Sequence, residues 1–332
     1  MGSVTRLLSI ALAILTSGVA RAEAPAPLHE VQLIPLPGVE KRIDHMAVDP
    51  AGKRLFVSAL GNGTLEVIDL QAGKRVRSVP GLKEPQGVAF FPDLHKVVVA
   101  NTGGTVLAFE DPTFKLLATI PALDDADNLR IDTSTKLLYV GYGDGALGLI
   151  DPVTMKRLGD IKLPGHPESF RLEDAGPRVY VNVPRTKEVL VVDRQKRTIT
   201  SRMPLEGPAK NYPMSLDEAH HRLFVGVRAP AKLLVFDVQS GKQSAAVPCV
   251  GDTDDLFYDS ARDRVYVIGG EGFVDVFDVS PPNGPVRLAR LSTASGARTG
   301  LWSPELKQLY VAAPHRLLGR EAAIHVYEAA GP

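Results

Sequence analysis

Acidic residues gather in the segment Gly251 to Asp259, which reads GDTDDLFYD. Its carboxylates, on Asp252, Asp254, Asp255 and Asp259, could hold a metal ion, serve as an acid/base site, or mark the start of a strand. The spacing lacks the terminal glutamate of a helix-loop-helix calcium loop. The segment is therefore not a self-contained calcium loop, and its role depends on where the rest of the chain places it.

A short run of β-forming residues that ends in valine recurs seven times along the chain. Examples are RLFV, LLYV and RVYV, and the final valines are Val57, Val99, Val140, Val181, Val225, Val267 and Val311. These valines lie 41 to 44 residues apart. Each unit holds four short β runs separated by Gly, Pro and Asp turns, as one propeller blade does. The sequence therefore predicts an all-β fold, a seven-bladed β-propeller.

The last unit is incomplete, because only one further β run, AAIHVYEAA, follows Val311. A spare run, VQLIPLPG, precedes the first unit and can supply the missing outer strand. The two ends of the chain then share one blade, which closes the ring and removes its exposed edges. We predict a single domain over residues 28–330, with the last blade closed by the N-terminal strand.

The repeats resemble those of the YVTN family, exported seven-bladed propellers written around Tyr-Val-Thr-Asn and Val-Ile-Asp. The resemblance rests on stretches such as RLFVSALGNGTLEVIDLQAGK and LLYVGYGDGALGLIDPVTMK, and it covers the chain after its first two dozen residues. It implies a propeller exported from the cytoplasm. It leaves the function open, because this fold hosts binding proteins, lyases, lactonases and scaffolds alike.

The first strand of each blade lines the central channel of a propeller, so the residues that start these strands converge at one mouth. Alignment on the valines gives the pairs Asp44-His45, Gln86-Gly87, Asp127-Asn128, Glu168-Ser169, Tyr212-Pro213, Asp254-Asp255 and Arg298-Thr299. Acids around one narrow channel repel each other. We therefore expect raised carboxyl pKa values unless a cation or Arg298 compensates, and a divalent metal ion is the simplest such cation.

Two uses of this mouth are open. In one, a calcium, zinc or manganese ion is held by the predicted metal ligands, which are His45, Asn128, Glu168 and Asp254. His315 or His166 then acts as general acid/base, and Arg298 binds an oxyanion or carboxylate.

In the other use the mouth is a ligand-binding surface, whose further residues are Asp44, Gln86, Asp127, Tyr212, Asp255 and Arg228. A structural alternative is that His45 and His166 make local backbone hydrogen bonds and that the acids cap turns.

These uses correspond to two classes of protein. One is an exported binding module whose acid-rich funnel binds a small polar ligand or a protein partner. The other is a metal-dependent hydrolase or lyase, in the manner of gluconolactonase-type or virginiamycin-lyase-type propellers, in which the ion polarises a lactone or carbonyl oxygen. The first requires less special chemistry, and we favour it.

The N-terminus predicts export. Arg6 precedes the apolar segment LLSIALAILTSGVA, which is too short to span a bilayer and ends near the A-x-A sequence Ala20-Arg21-Ala22. We predict a signal peptide over residues 1–22, a flexible start over 23–27, a periplasmic or secreted location, and no membrane span after cleavage. The formal net charge of zero and the few aromatic residues at the mouth argue against nucleic acid as a partner.

Overall fold

The computed structural model describes residues 26–207, 209–315 and 321–331. The predicted signal peptide lies outside the described residues, as do the first three residues of the predicted flexible start. The described residues form 28 strands and two single-turn 3₁₀ helices, at Leu60–Asn62 and Pro92–Leu94. No helix in this part of the chain is long and apolar enough to cross a bilayer.

The strands form seven four-stranded antiparallel sheets. The first strand along the chain is β1 (Leu28–Pro35). Blades one to three consist of β2 (Met46–Asp49), β3 (Arg54–Ala59), β4 (Thr64–Asp69), β5 (Lys74–Pro80); β6 (Pro85–Phe91), β7 (Lys96–Asn101), β8 (Thr105–Glu110), β9 (Leu116–Ile120); and β10 (Leu129–Ile131), β11 (Leu138–Tyr142), β12 (Ala146–Asp151), β13 (Lys156–Lys162).

Blades four to six follow the same plan. They consist of β14 (Phe170–Leu172), β15 (Arg178–Val183), β16 (Glu188–Asp193), β17 (Thr198–Pro204); β18 (Ala209–Asp217), β19 (Arg222–Ala229), β20 (Ala231–Asp237), β21 (Lys242–Pro248); and β22 (Thr253–Asp259), β23 (Arg264–Gly269), β24 (Phe273–Asp278), β25 (Val286–Ser292). The seventh blade contains β26 (Gly300–Ser303), β27 (Gln308–Ala313) and β28 (Ala323–Ala329).

The first strands of neighbouring blades contact each other all the way round. The contacting pairs are β2 with β6, β6 with β10, β10 with β14, β14 with β18, β18 with β22, β22 with β26, and β26 with β2. The sheets therefore form a closed ring around a central channel, and the prediction of an all-β seven-bladed propeller is confirmed.

The seventh sheet has the strand order β1-β28-β27-β26, so the N-terminal strand is its outer strand. Ile34 pairs with Ile324, and both side chains are fully buried. The predicted closure by the spare N-terminal run is confirmed, because the two ends of the chain share one sheet.

The core lies between neighbouring blades. Phe56 of the first blade packs in one cluster with Val88 and Val97 of the second, and the same arrangement recurs around the ring. All seven repeat valines are fully buried in the second strands. Each contributes about 1.5 kcal/mol or more by burial of its side chain, so the sequence repeat is also a repeat of the core.

The acids that end the inner strands hold turns together. Asp259 accepts hydrogen bonds from the amide of Ala261 (3.2 Å) and the hydroxyl of Tyr266 (2.8 Å), and it forms an ion pair with Arg262 (3.1 Å). Asp49 is bound in a similar way by the amide of Gly52. Asp259, the last acid of the GDTDDLFYD segment, therefore has a structural role.

Candidate functional site

A cavity of about 300 Å³ lies at one mouth of the central channel. Every blade contributes to its lining, which is almost entirely polar. The lining residues are Arg42, His45, Gln86, Asp125, Asp127, Asn128, His166, Glu168, Ser169, Tyr212, Arg228, Asp254 and Arg298. We call this cavity the funnel.

Backbone pairing places the funnel acids at the same height in different blades. The amides of Asp44, Asp127 and Glu168 each donate to the second strand of their own blade, at the residue that follows the repeat valine. The accepting carbonyls belong to Ser58 (2.8 Å), Gly141 (2.9 Å) and Asn182 (3.0 Å). Residues that align in the sequence repeat therefore lie at equivalent positions around the channel.

His45 is the centre of the acid cluster. Its Nδ1 lies 3.3 Å from Asp255 Oδ2, and its Nε2 lies 3.6 Å from both Asp44 Oδ1 and Asp127 Oδ1. Burial lowers the pKa of His45, but the charges of Asp255 and Asp44 outweigh burial and raise that pKa well above its ordinary value. The carboxylates therefore favour the protonated form of His45, in which the Asn128 amide nitrogen, 3.3 Å from Nε2, is a neighbour of the ring and not a donor to it.

Arg42 neutralises a second part of the cluster. Its guanidinium lies 2.8 Å from Asp44 Oδ2 and 3.6 Å from Asp254 Oδ2. Asp44 is fully buried, and burial raises its pKa to about 6, although His45 and Arg42 act in the opposite direction. Alignment on the valines missed Arg42, because it stands two residues before the aligned pair of its blade.

Arg228 holds Asp254 in place. Its guanidinium donates to Asp254 and to the carbonyl of Thr253 (2.8 Å), and it lies 3.8 Å from the ring centroid of Tyr212. The pair is mostly buried, with 17% of the Arg228 side chain and 13% of the Asp254 side chain exposed. Arg228 thus pairs with a buried carboxylate and covers the aromatic face beside it.

Arg298 pairs with the first acid of the GDTDDLFYD segment, at a distance of 2.9 Å between its Nη2 and Asp252 Oδ2. The backbone of Asp252 is left-handed (φ 55°), a conformation that Asp tolerates better than most residues. Asp252 therefore turns the chain into β22 and neutralises Arg298. In this arrangement Arg298 already has a partner.

Glu168 is different from the other funnel acids. Its side chain forms no hydrogen bond or ion pair with any described residue, although it lines the funnel. Burial raises the pKa of Glu168 to about 8, and the charges of Asp127 and Asp254 act in the same direction. Glu168 is thus largely protonated at neutral pH, and it is the group most available to a ligand.

Carboxyl groups outnumber cations in and directly around the funnel. Seven carboxyl groups lie there, on Asp44, Asp125, Asp127, Glu168, Asp252, Asp254 and Asp255. Five basic side chains face them, on Arg42, His45, His166, Arg228 and Arg298. With Glu168 protonated, six carboxylates still face the five basic side chains, and this excess of acid favours cationic groups over anionic ones.

Most residues predicted from the sequence come together here, but three do not line the funnel. Asp44 is buried beneath it, and Asp255 faces the channel on the far side of His45. His315 forms an ion pair with Glu40, with 2.7 Å between Nδ1 and Oε2, and lies outside the lining. His166 does line the funnel, with its Nδ1 donating to the carbonyl of Gly143 (2.7 Å).

The predicted metal ligands do not form a preformed set. No group of three or more His, Cys, Asp or Glu side chains arranged to hold a metal ion occurs within residues 26–207, 209–315 and 321–331. His45 is surrounded by carboxylates, Asn128 accepts from Arg130 (2.8 Å), and Asp254 is bound by Arg228. Of the four, Glu168 alone has a side chain with no hydrogen-bond or ion-pair partner among the described residues.

Comparison with known proteins supports the fold. No family model matches the chain, and no curated protein matches it in sequence. Among solved structures, Kuenenia stuttgartiensis hydrazine synthase is similar over 84% of this chain and 96% of that chain, with a TM-score of 0.74 and 16% identity. The WD40 repeats of RRP9 are similar over 91% of this chain and 100% of that chain, with a TM-score of 0.78 and 12% identity. Likeness at these identities shows the fold alone.

Proposed function

We propose that this protein is a β-propeller binding module whose funnel binds a small polar ligand with a positively charged group, such as an amine. The observation that carries the proposal is the excess of carboxyl groups around a cavity to which all seven blades contribute. An ammonium group bound beside Glu168 and Asp127 lies near the Asp127 carboxylate, and its charge favours release of the proton that Glu168 holds. The remaining polar lining can hydrogen-bond to hydroxyl or amide groups of the same ligand.

A matched panel of small molecules tests this proposal. Each set contains an amine, its neutral hydroxyl counterpart and its carboxylate counterpart, for example glucosamine, glucose and glucuronate. We expect titration calorimetry to show binding in the order amine, neutral compound, carboxylate within any set that binds. Preferred binding of carboxylates in the funnel would contradict the proposal.

Glu168 provides a pH test. Because its pKa is about 8 in the folded protein, above the ordinary 4.5, the folded state holds a proton that the unfolded state releases. Stability therefore falls as pH rises between these values. We expect Glu168→Gln to remove this loss and to raise the unfolding free energy by about 2 to 4 kcal/mol at pH 8.5, with little change at pH 4.5.

Urea unfolding of the two proteins across this pH range measures the effect. Glu206→Gln, at an exposed glutamate, is the matched control, and its unfolding free energy should depend on pH as that of the wild type does. If the unfolding free energies of Glu168→Gln and the wild type depend on pH in the same way, Glu168 is not buried among acids.

A metal-dependent hydrolase or lyase is the second candidate for the same funnel. The excess of carboxyl groups favours it too, since a divalent cation compensates acids as an ammonium does. Metal analysis of protein purified without chelator decides between them. Near-stoichiometric calcium, zinc or manganese that disappears in a Glu168→Ala, Asp254→Ala double variant would support the enzyme. An absence of metal, with melting unchanged by these ions, would refute it.

Export and kinship with the YVTN repeat proteins are part of the proposal. The charged and apolar pattern of residues 1–22 supports export, and the Val-Ile-Asp repeats support kinship. N-terminal sequencing of the protein expressed from the full chain should find Glu23 as the first residue. A chain that still begins at Met1 would contradict cleavage.

A further inference from the structure

A second cavity of about 320 Å³ lies in the channel beyond His45 and Asp255, on the side away from the funnel. Its walls are mainly apolar side chains of the inner strands. Two arginines, Arg130 and Arg171, are exceptions, and they also line this cavity. The function proposed above uses neither of them.

The two arginines occupy equivalent positions in neighbouring blades. Arg130 pairs with Tyr139 and Arg171 pairs with Tyr180, in each case the residue before the repeat valine. The positions that match them in the other five blades carry uncharged residues, which are Ala47, Ala89, Ser215, Phe257 and Leu301. One ring of the channel therefore contains two adjacent guanidinium groups and no carboxylate.

Neither guanidinium forms an ion pair with a described residue. The Arg171 side chain forms no hydrogen bond or ion pair with a described residue. Arg130 donates to two neutral oxygens, the Leu129 carbonyl (2.7 Å) and Asn128 Oδ1 (2.8 Å), and its buried Nε has no partner. The nearest acid of the lining, Asp255, already binds His45 and the amide of Gly300 (2.9 Å).

Two positive charges side by side in the channel, with Asp255 as the one acid in the lining of this cavity, are incompletely compensated. Burial and the charge of Arg130 lower the pKa of Arg171 to about 9, and the charge of Asp255 opposes them only in part. An anion between the two side chains would remove this cost, and guanidinium groups bind a carboxylate through paired hydrogen bonds. The apolar walls favour an anion that also has an apolar body. They are formed by residues such as Val48, Phe90 and Ile131.

We propose that this half of the channel binds a small organic carboxylate, with the carboxylate held between Arg130 and Arg171 and the apolar body lying against the inner strands. The site is distinct from the funnel, and the layer of His45 and Asp255 separates the two. It has the opposite preference for charge, so the channel binds cations at one end and organic anions at the other.

Benzoate, butanoate, acetate, inorganic phosphate and chloride are the probes, each added as the sodium salt to the full-length wild type. We expect calorimetry to show binding that tightens from acetate to butanoate to benzoate and is weaker for phosphate and chloride. Arg171→Gln should weaken benzoate binding at least tenfold. The matched control is Arg197→Gln, at an exposed arginine of the hairpin between β16 and β17, and it should bind as the wild type does.

Stability provides an independent readout. Because the Arg171 side chain has no hydrogen-bond or ion-pair partner in the part of the chain that the structure describes, we expect Arg171→Gln to melt no lower than the wild type in anion-poor buffer. We also expect it to lose the increase in melting temperature that benzoate gives the wild type. Equal increases in both proteins, or no binding of benzoate at millimolar concentration, would overturn the proposal. Tighter binding of phosphate or chloride than of benzoate would overturn the assignment of an organic carboxylate.

Discussion

Arg228→Met is expected to lower the unfolding free energy by about 3 kcal/mol, which is typical of removing one partner from a buried ion pair. The substitution leaves Asp254 without its main cation, and Arg42, 3.6 Å from the same carboxylate, compensates only in part. It also uncovers Tyr212. Urea unfolding at pH 7 measures the loss.

The reason for the loss can be separated from a simple loss of packing. Asp254→Asn in the Arg228→Met background should recover at least half of the stability, because the uncompensated charge is gone. Arg197→Met, at an exposed arginine, should change the unfolding free energy by less than about 0.5 kcal/mol. A double variant that is less stable than Arg228→Met alone would contradict the assignment of Arg228 as the counterion.

His45→Gln is expected to have an effect of similar size, about 3 kcal/mol at pH 6.5. Glutamine can hydrogen-bond to Asp255 or Asp127, but it carries no charge to balance the three carboxylates that surround the ring. The stability difference between wild type and variant reports the charge of His45.

That difference should depend on pH. The pKa of His45 is raised in the folded protein, so its contribution is complete below the unfolded value of about 6.5 and is lost as pH rises through the folded value. The gap between wild type and His45→Gln should therefore narrow from pH 6.5 toward pH 10. His95→Gln, at the opposite rim, serves as the control. A gap that widens over this range would mean that His45 is neutral in the folded protein.

The blade repeat could be predicted because each of the seven blades needs a buried residue at the same position of its second strand. Each repeat valine is a fully buried residue of a second strand, and its spacing gives both the number of blades and their register. The register also places Asp127 and Glu168 at equivalent positions of their blades and therefore at the same height in the channel. The two-residue period of a strand fixes the face on which each side chain lies. The N-terminal closing strand could be predicted because the last blade has one β run too few after Val311.

The compensating cations were harder to predict. Arg42 lies in an entry loop, where strand register no longer fixes the direction of a side chain. His315 follows the end of β27, so its side-chain direction is not fixed by register either. Arg130 and Arg171 lie within inner strands and were legible in principle, because the sequences NLRID and SFRLED place arginine where other blades have Ala, Ser, Phe or Leu. Partner choice among several charges depends on distances that a sequence does not contain.

Binding of the cationic ligand in the funnel, and at no other surface, can be tested with the histidines. Two of the chain's eight histidines, His45 and His166, line the funnel, and His95, His220 and His221 lie in turns on the opposite rim. Titration of the protein with the tightest-binding amine of the panel can be followed by the NMR signals of isotope-labelled histidine side chains. We predict that the signals of His45 and His166 move and that those of the rim histidines stay in place. Movement of the rim signals, with those of His45 and His166 unchanged, would contradict binding in the funnel.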